Sequence, residues 1–166
     1  MLPEHAIAPA AALRLQPLDP RVVRYWRLRL AAGAVGTAAA AAALAWWWGG
    51  PPAAALAALA AAAPGAALVA LLPAARYRAW GFAVRDHDLV VRRGVLWRAI
   101  SVVPHRRIQH VDTRDGPIER RLGLSRLIVH TAGAAGAWIG IPGLAQEDAA
   151  ALRDRLAALG AGDDAV

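Results

Sequence analysis

The chain has no cysteine and, among its 19 basic residues, no lysine. The first absence excludes disulfides, thiolate metal sites and a cysteine nucleophile, and suits a domain kept in a reducing compartment. The second makes every basic residue an arginine. With alanine so abundant, that vocabulary reflects genome base composition, so a pI of about 11.4 is no ground for a nucleic-acid partner, and none is expected. The third absence is local: residues 30–75 contain no Asp, Glu, Lys, Arg or His. A soluble helix needs a polar face, and no rotation of residues 30–48 supplies one.

A helix rises about 1.5 Å per residue and a bilayer's hydrocarbon core is about 30 Å thick, so about 20 residues make one crossing. The uncharged run suffices for two. Gly49-Gly50-Pro51-Pro52 divides it, because prolines remove backbone donors and glycines accept turn dihedrals. The expectation is a transmembrane helical hairpin over residues 21–76, with spans at about 28–48 and 52–75, and with a kink at Pro64. Trp46, Trp47 and Trp48 would anchor the far interface, and Tyr25 and Trp26 the near one. A soluble alanine-rich hairpin is the competing reading; against it, a chain of 166 residues has no core large enough to bury two all-apolar helices. Gly33, Gly36 and the alanine tract 38–43 would let two helices pack closely in lipid.

Arg21, Arg24, Arg27 and Arg29 precede the first span, Arg76, Arg78 and Arg85 follow the second, and the turn between has no charge. By the positive-inside rule both termini stay cytoplasmic, in the bacterial inner (plasma) membrane. Residues 1–20 lack the pattern of a cleavable signal peptide, being interrupted by Glu4 and Asp19, and read as a disordered tail.

From residue 77 to 160 the composition changes to short stretches of period-two alternation, the pattern of half-buried strands. Strands are expected at 79–84, 89–93, 95–103, 107–113, 124–131 and 137–141, with turn chemistry at Asp86-His87-Asp88 and Gly94, and a single helical turn at 117–122. Ala149, Leu152, Leu156 and Leu159 form a helical stripe, with Glu147 and Asp148 in the first turn and Gly160 past the end. A mainly β domain closed by a C-terminal amphipathic helix follows, with residues 161–166 as a tail.

Pro104-His105-Arg106-Arg107-Ile108-Gln109, Pro117-Ile118-Glu119-Arg120, Leu122-Gly123-Leu124 and Thr131-Ala132-Gly133 together resemble the membrane-flanked bacterial pleckstrin-homology-like (YdbS-like) family. The resemblance covers about residues 21–160. It implies a cytoplasmic PH-like fold, a bent barrel of about seven strands with a C-terminal helix, and a membrane-anchored interaction module without a defined reaction. The segment 132–136 departs from the pattern in being short and rich in Gly and Ala, which weakens any binding role for that loop.

No catalytic constellation stands out. G-x-S-x-G and H-x-x-x-H are absent, and Gly133-Ala134-Ala135-Gly136 lacks the lysine of a phosphate loop. His105 and His110 fall on opposite faces of a strand, and His110 and His130 read as partly buried histidines bonded to backbone. The expectation is no enzyme, no cofactor and no metal. Candidate contacts to lipid or partner are Arg92, Arg93, Arg106 and Arg107, where basic residues lie close to the membrane, and Gln109, which stands in the family-like motif. The function expected is a membrane-anchored interaction or scaffold module in cell-envelope processes. The alternatives are an accessory subunit of an envelope transport or assembly complex, and an anionic-lipid-binding module. Besides the bilayer, a partner protein or a second copy of the chain is expected as partner.

Overall fold

The structure, a computed structural model, describes residues 14–132 and 138–162. α1 spans Arg21–Ala79 and is long and apolar enough to cross a membrane. Its backbone leaves helical geometry at one residue, Gly50 (φ 70°, ψ −165°), immediately before Pro51 and Pro52. A left-handed φ at this point suits glycine, and the prolines that follow can open a helix but not donate within one. Pro64 and Pro73 lie inside the helical stretch beyond it. Across the bend, a methyl group at Gly65 would stand 2.9 Å from the Ala34 Cβ, so the two stretches approach as closely as small residues allow. Val35, Leu44, Leu56, Leu59 and Leu71 are exposed along α1, as are Trp46, Trp47 and Trp48.

Beyond α1 come β1 (Gly81–Val84), β2 (Asp88–Arg93), β3 (Ala99–Pro104), a 3-10 turn (His105–Arg107), β4 (Ile108–Arg114), α2 (Pro117–Arg121), β5 (Leu124–Thr131), β6 (Trp138–Ala145) and α3 (Gln146–Gly162). They form two three-stranded antiparallel sheets, β1-β2-β3 and β4-β5-β6. Six strands stand among the described residues, against the seven or so that the resemblance implied. α3 buries Ala149 and Leu156 against them and half-buries Leu152 and Leu159, the stripe expected from spacing.

Four departures from the sequence reading have physical causes. The strand expected from residue 95 begins at Ala99, because Gly94 turns at φ 105° and the loop behind it leaves Leu96 and Trp97 fully exposed. α3 continues through Gly160 to Gly162 instead of stopping before Gly160, since a glycine within a helix costs only about 1 kcal/mol and does not by itself end it. α1 runs to Ala79, so the boundary expected at residue 77 falls inside a helix. Finally, only residues 1–13 of the expected 1–20 tail lie outside the described residues, together with residues 133–136 of the expected short connection, residue 137 of the strand expected after it, and residues 163–166. Gln16 exchanges backbone hydrogen bonds with Phe82 of β1 (2.7 and 3.1 Å), the Asp19 N–H donates to the Gly143 carbonyl of β6 (2.9 Å), and Leu18 is buried. An unpatterned stretch gives no periodic signal, yet two backbone pairings and one leucine are enough to fix it.

The core is continuous between helix and sheets. Leu18, Val22, Tyr25 and Trp26 share one buried cluster with Trp80, Phe82, Leu89, Val91, Leu124, Leu127, Val129, Ile141 and Leu156. Burying each such side chain contributes about 1.5–3 kcal/mol, so the base of α1 is a structural part of the domain. The Tyr77 hydroxyl adds a bond to the Leu18 carbonyl (3.1 Å).

Candidate anion-binding cleft where the helix meets the domain

The five residues singled out by sequence do not converge. β2 pairs with β3 so that Arg93 faces Ala99 and Asp88 faces Pro104. Arg92 and Arg93 therefore stand at one end of the sheet, and Arg106 and Arg107, exposed on the 3-10 turn, just past the other, about five residues or roughly 17 Å away. Gln109 is exposed on β4. Arg92 is half-buried with its Nε lacking a hydrogen-bond partner.

Arg93 alone belongs to a larger arrangement. It lines a cleft of about 470 Å³ with Arg29 and Arg76 of α1 and Arg126 of β5, against Tyr25, Trp26, Trp80 and Trp138. Leu30 and Leu72 also line it, so it lies where the apolar run of α1 begins and ends. Among the described residues no acidic one lines it. Aromatic faces hold two of the cations: Arg76 sits over Trp26 at 4.7 Å, and Arg29 over Tyr25 at 5.8 Å, with its Nη1 donating to the tyrosine hydroxyl at 3.3 Å. Arg126 bonds the buried Glu119 carboxylate (3.3 Å) through Nη2, while its Nε is buried without a hydrogen-bond partner. Burial, and then repulsion from Arg126 and Arg29, lowers the Arg76 pKa from its ordinary value. Cations gathered at such a cost are the chemistry of an anion site.

Sequence reasoning missed Arg29, Arg76 and Arg126 as site residues. Arg29 and Arg76 were legible as the charges that flank the uncharged run, and bringing its two ends together makes them neighbours. Arg126 gave no signal, because its place in the cleft depends on tertiary packing between distant segments.

The histidines also differ from expectation. His105 is buried, its backbone N–H donating to the His87 carbonyl (3.0 Å). His110 is exposed and stacks on His130, the ring centroids being 4.0 Å apart. The His130 Nε2 is buried without a hydrogen-bond partner.

A helix exposing apolar side chains along its length, with its base built into a small two-sheet domain, defines a membrane protein carrying a PH-like module. The family comparison agrees: residues 22–160 match the Bacterial PH domain family, and the chain belongs to it. It is similar to the UPF0699 transmembrane protein YdbS of Bacillus subtilis (strain 168), 32% identical over 91 residues, which cover 55% of each chain. The chain thus spans about half the length of that relative. No solved structure matches it.

Proposed function

We propose that the chain is a non-catalytic interaction module, anchored in the bacterial inner membrane by a two-helix hairpin with both termini cytoplasmic, whose PH-like domain holds an anionic lipid headgroup in the arginine cleft. Length supports the hairpin. A straight helix from Arg21 to Ala79 would be roughly 90 Å long, about three times the hydrocarbon thickness, whereas folding back at Gly50 gives two arms of roughly 45 Å. The approach of Ala34 to Gly65 and the stacking of Arg76 on Trp26 support it further. The flanking arginines favour the cytoplasmic orientation.

The observation that carries the lipid reading is the cleft itself: four arginines and, among the described residues, no acid in its lining, at the ends of the apolar run, where headgroup phosphates would lie. Each juxtamembrane arginine contributes about 1 kcal/mol toward anionic lipid, or roughly fivefold in affinity. The exposed Leu96 and Trp97, in the loop that follows Arg93, are suited to dip into the same interface.

Full-length protein in nanodiscs of neutral lipid doped with phosphatidylglycerol, examined by native mass spectrometry, should retain the anionic lipid. Arg76→Glu and Arg93→Glu should each reduce retention at least fivefold, and Arg106→Glu much less. Equal retention in all four proteins would refute the cleft assignment. A reporter fused after Val166 that is active only outside the cytoplasm would refute the topology.

A further inference from the structure

β4 and β5 bring together three side chains that nothing in the lipid reading uses. His110 and Asp112 alternate on β4 and so share a face, and His130 of β5 is the cross-strand partner of His110. The Asp112 Oδ2 stands 3.4 Å from the His130 Nε2 and 3.9 Å from the His110 Nε2, and the three ligand atoms all lie within 4.8 Å of one another. We propose that His110, Asp112 and His130 form a binding site for a divalent first-row transition metal of the zinc class.

Geometry carries this first. A tetrahedral ion with bonds of about 2.0–2.2 Å holds its ligand atoms about 3.3–3.5 Å apart, which the His130 and Asp112 pair already meets. His110 needs a small movement: its ring lies 16° from parallel with that of His130, so the two lone pairs run side by side instead of converging. It is the exposed member of the set, free to turn about χ2.

Chemistry carries it next. The His130 Nε2 is buried without a hydrogen-bond partner, a group whose cost a metal bond would remove. Two imidazoles and one carboxylate select zinc, cobalt, nickel, copper or iron over magnesium and calcium, which favour oxygen. Three protein ligands leave a position open. His130 also lines a cleft of about 450 Å³ with Arg114, Asp115, Glu119, Arg126 and Trp138.

The test uses full-length protein in mild detergent, stripped with a chelator and titrated with zinc against a chromophoric competitor. One zinc per chain should bind at micromolar Kd or tighter. His110→Ala and His130→Ala should each weaken binding at least tenfold, while the exposed His87→Ala leaves it unchanged. Zinc should raise the Tm of the unaltered protein and not that of the His130→Ala variant, which separates loss of the site from loss of the fold. Absence of zinc uptake by the unaltered protein, or uptake that survives both His110→Ala and His130→Ala, would overturn the proposal.

Discussion

Gly143→Ala tests the claim that the base of α1 is built into the domain. Gly143 sits in β6 at φ 65°, a conformation that costs an L-residue about 1–2 kcal/mol. An added methyl group would run into the Cβ and both γ-carbons of Val22, which is fully buried in the first turn of α1. Overpacking of that kind costs about 1–3 kcal/mol, so Gly143→Ala should destabilise the protein by about 2–5 kcal/mol. Val22→Ala alone should cost about 2 kcal/mol or somewhat more through lost burial and the cavity left behind. In the double variant the two γ-carbon contacts are gone, while the Cβ that alanine keeps at position 22 and the backbone strain at position 143 remain. The cycle should therefore show a favourable coupling of about 1–2 kcal/mol, part of the overpacking term, between positions separated by most of the chain. Denaturant or thermal unfolding in detergent, followed by the fluorescence of the core tryptophans Trp26 and Trp80, reads all four proteins. Additivity within about 0.5 kcal/mol would mean that Val22 and Gly143 do not touch, and the integral anchor would have to be given up.

Two further outcomes follow from single carboxylates. Asp19 accepts from the Arg21 backbone N–H (2.7 Å) and pairs with its guanidinium (2.8 Å); the side-chain bond to Arg21 is the main reason its pKa lies below the ordinary carboxylate value. A carboxylate depressed in the fold contributes stability that is present above its unfolded pKa, near 4, and is lost as pH falls through the folded value. Stability should thus fall below about pH 4, and Asp19→Asn should flatten that fall in a pH series of melting curves. Glu119 is buried and accepts from the Gly116 N–H (2.9 Å) and from Arg126 (3.3 Å), so Glu119→Ala strands a half-buried backbone donor and an arginine. It should cost about 2–4 kcal/mol by chemical denaturation, and Glu119→Gln about 1–3, because the amide can keep one of the two bonds.

The sequence made legible whatever local chemistry decides. The uncharged run became α1, Gly49-Gly50-Pro51-Pro52 marked its bend, Pro117 and Gly123 bracketed α2, and the stripe through Ala149 and Leu156 found its core. What stayed hidden depended on packing between distant segments. Leu18 has no periodic neighbours to announce its burial. Arg126 joins Arg29, Arg76 and Arg93 only because the fold brings β5 and both stretches of α1 to one cleft. The His110-x-Asp112 alternation was readable, but its partner His130 comes from strand register, which the sequence alone does not fix.

The shared core and the arginine cleft depend on each other. Arg29 and Arg76 belong to α1, whereas Arg93 and Arg126 belong to the two different sheets, so the four gather only if helix and sheets hold a fixed relation. A flexible linker at residue 77 would let mutual repulsion disperse them. Instead Val22, Tyr25 and Trp26 enter the domain core on the first stretch of α1, and on the returning stretch Tyr77 bonds Leu18 and Trp80 is buried in that core. Each buried aromatic contributes a few kcal/mol, and together they offset the mutual repulsion of the partly solvated guanidinium groups. The fold can therefore hold a concentration of positive charge that an independently tethered domain could not, and it does so at the level where the apolar helix ends.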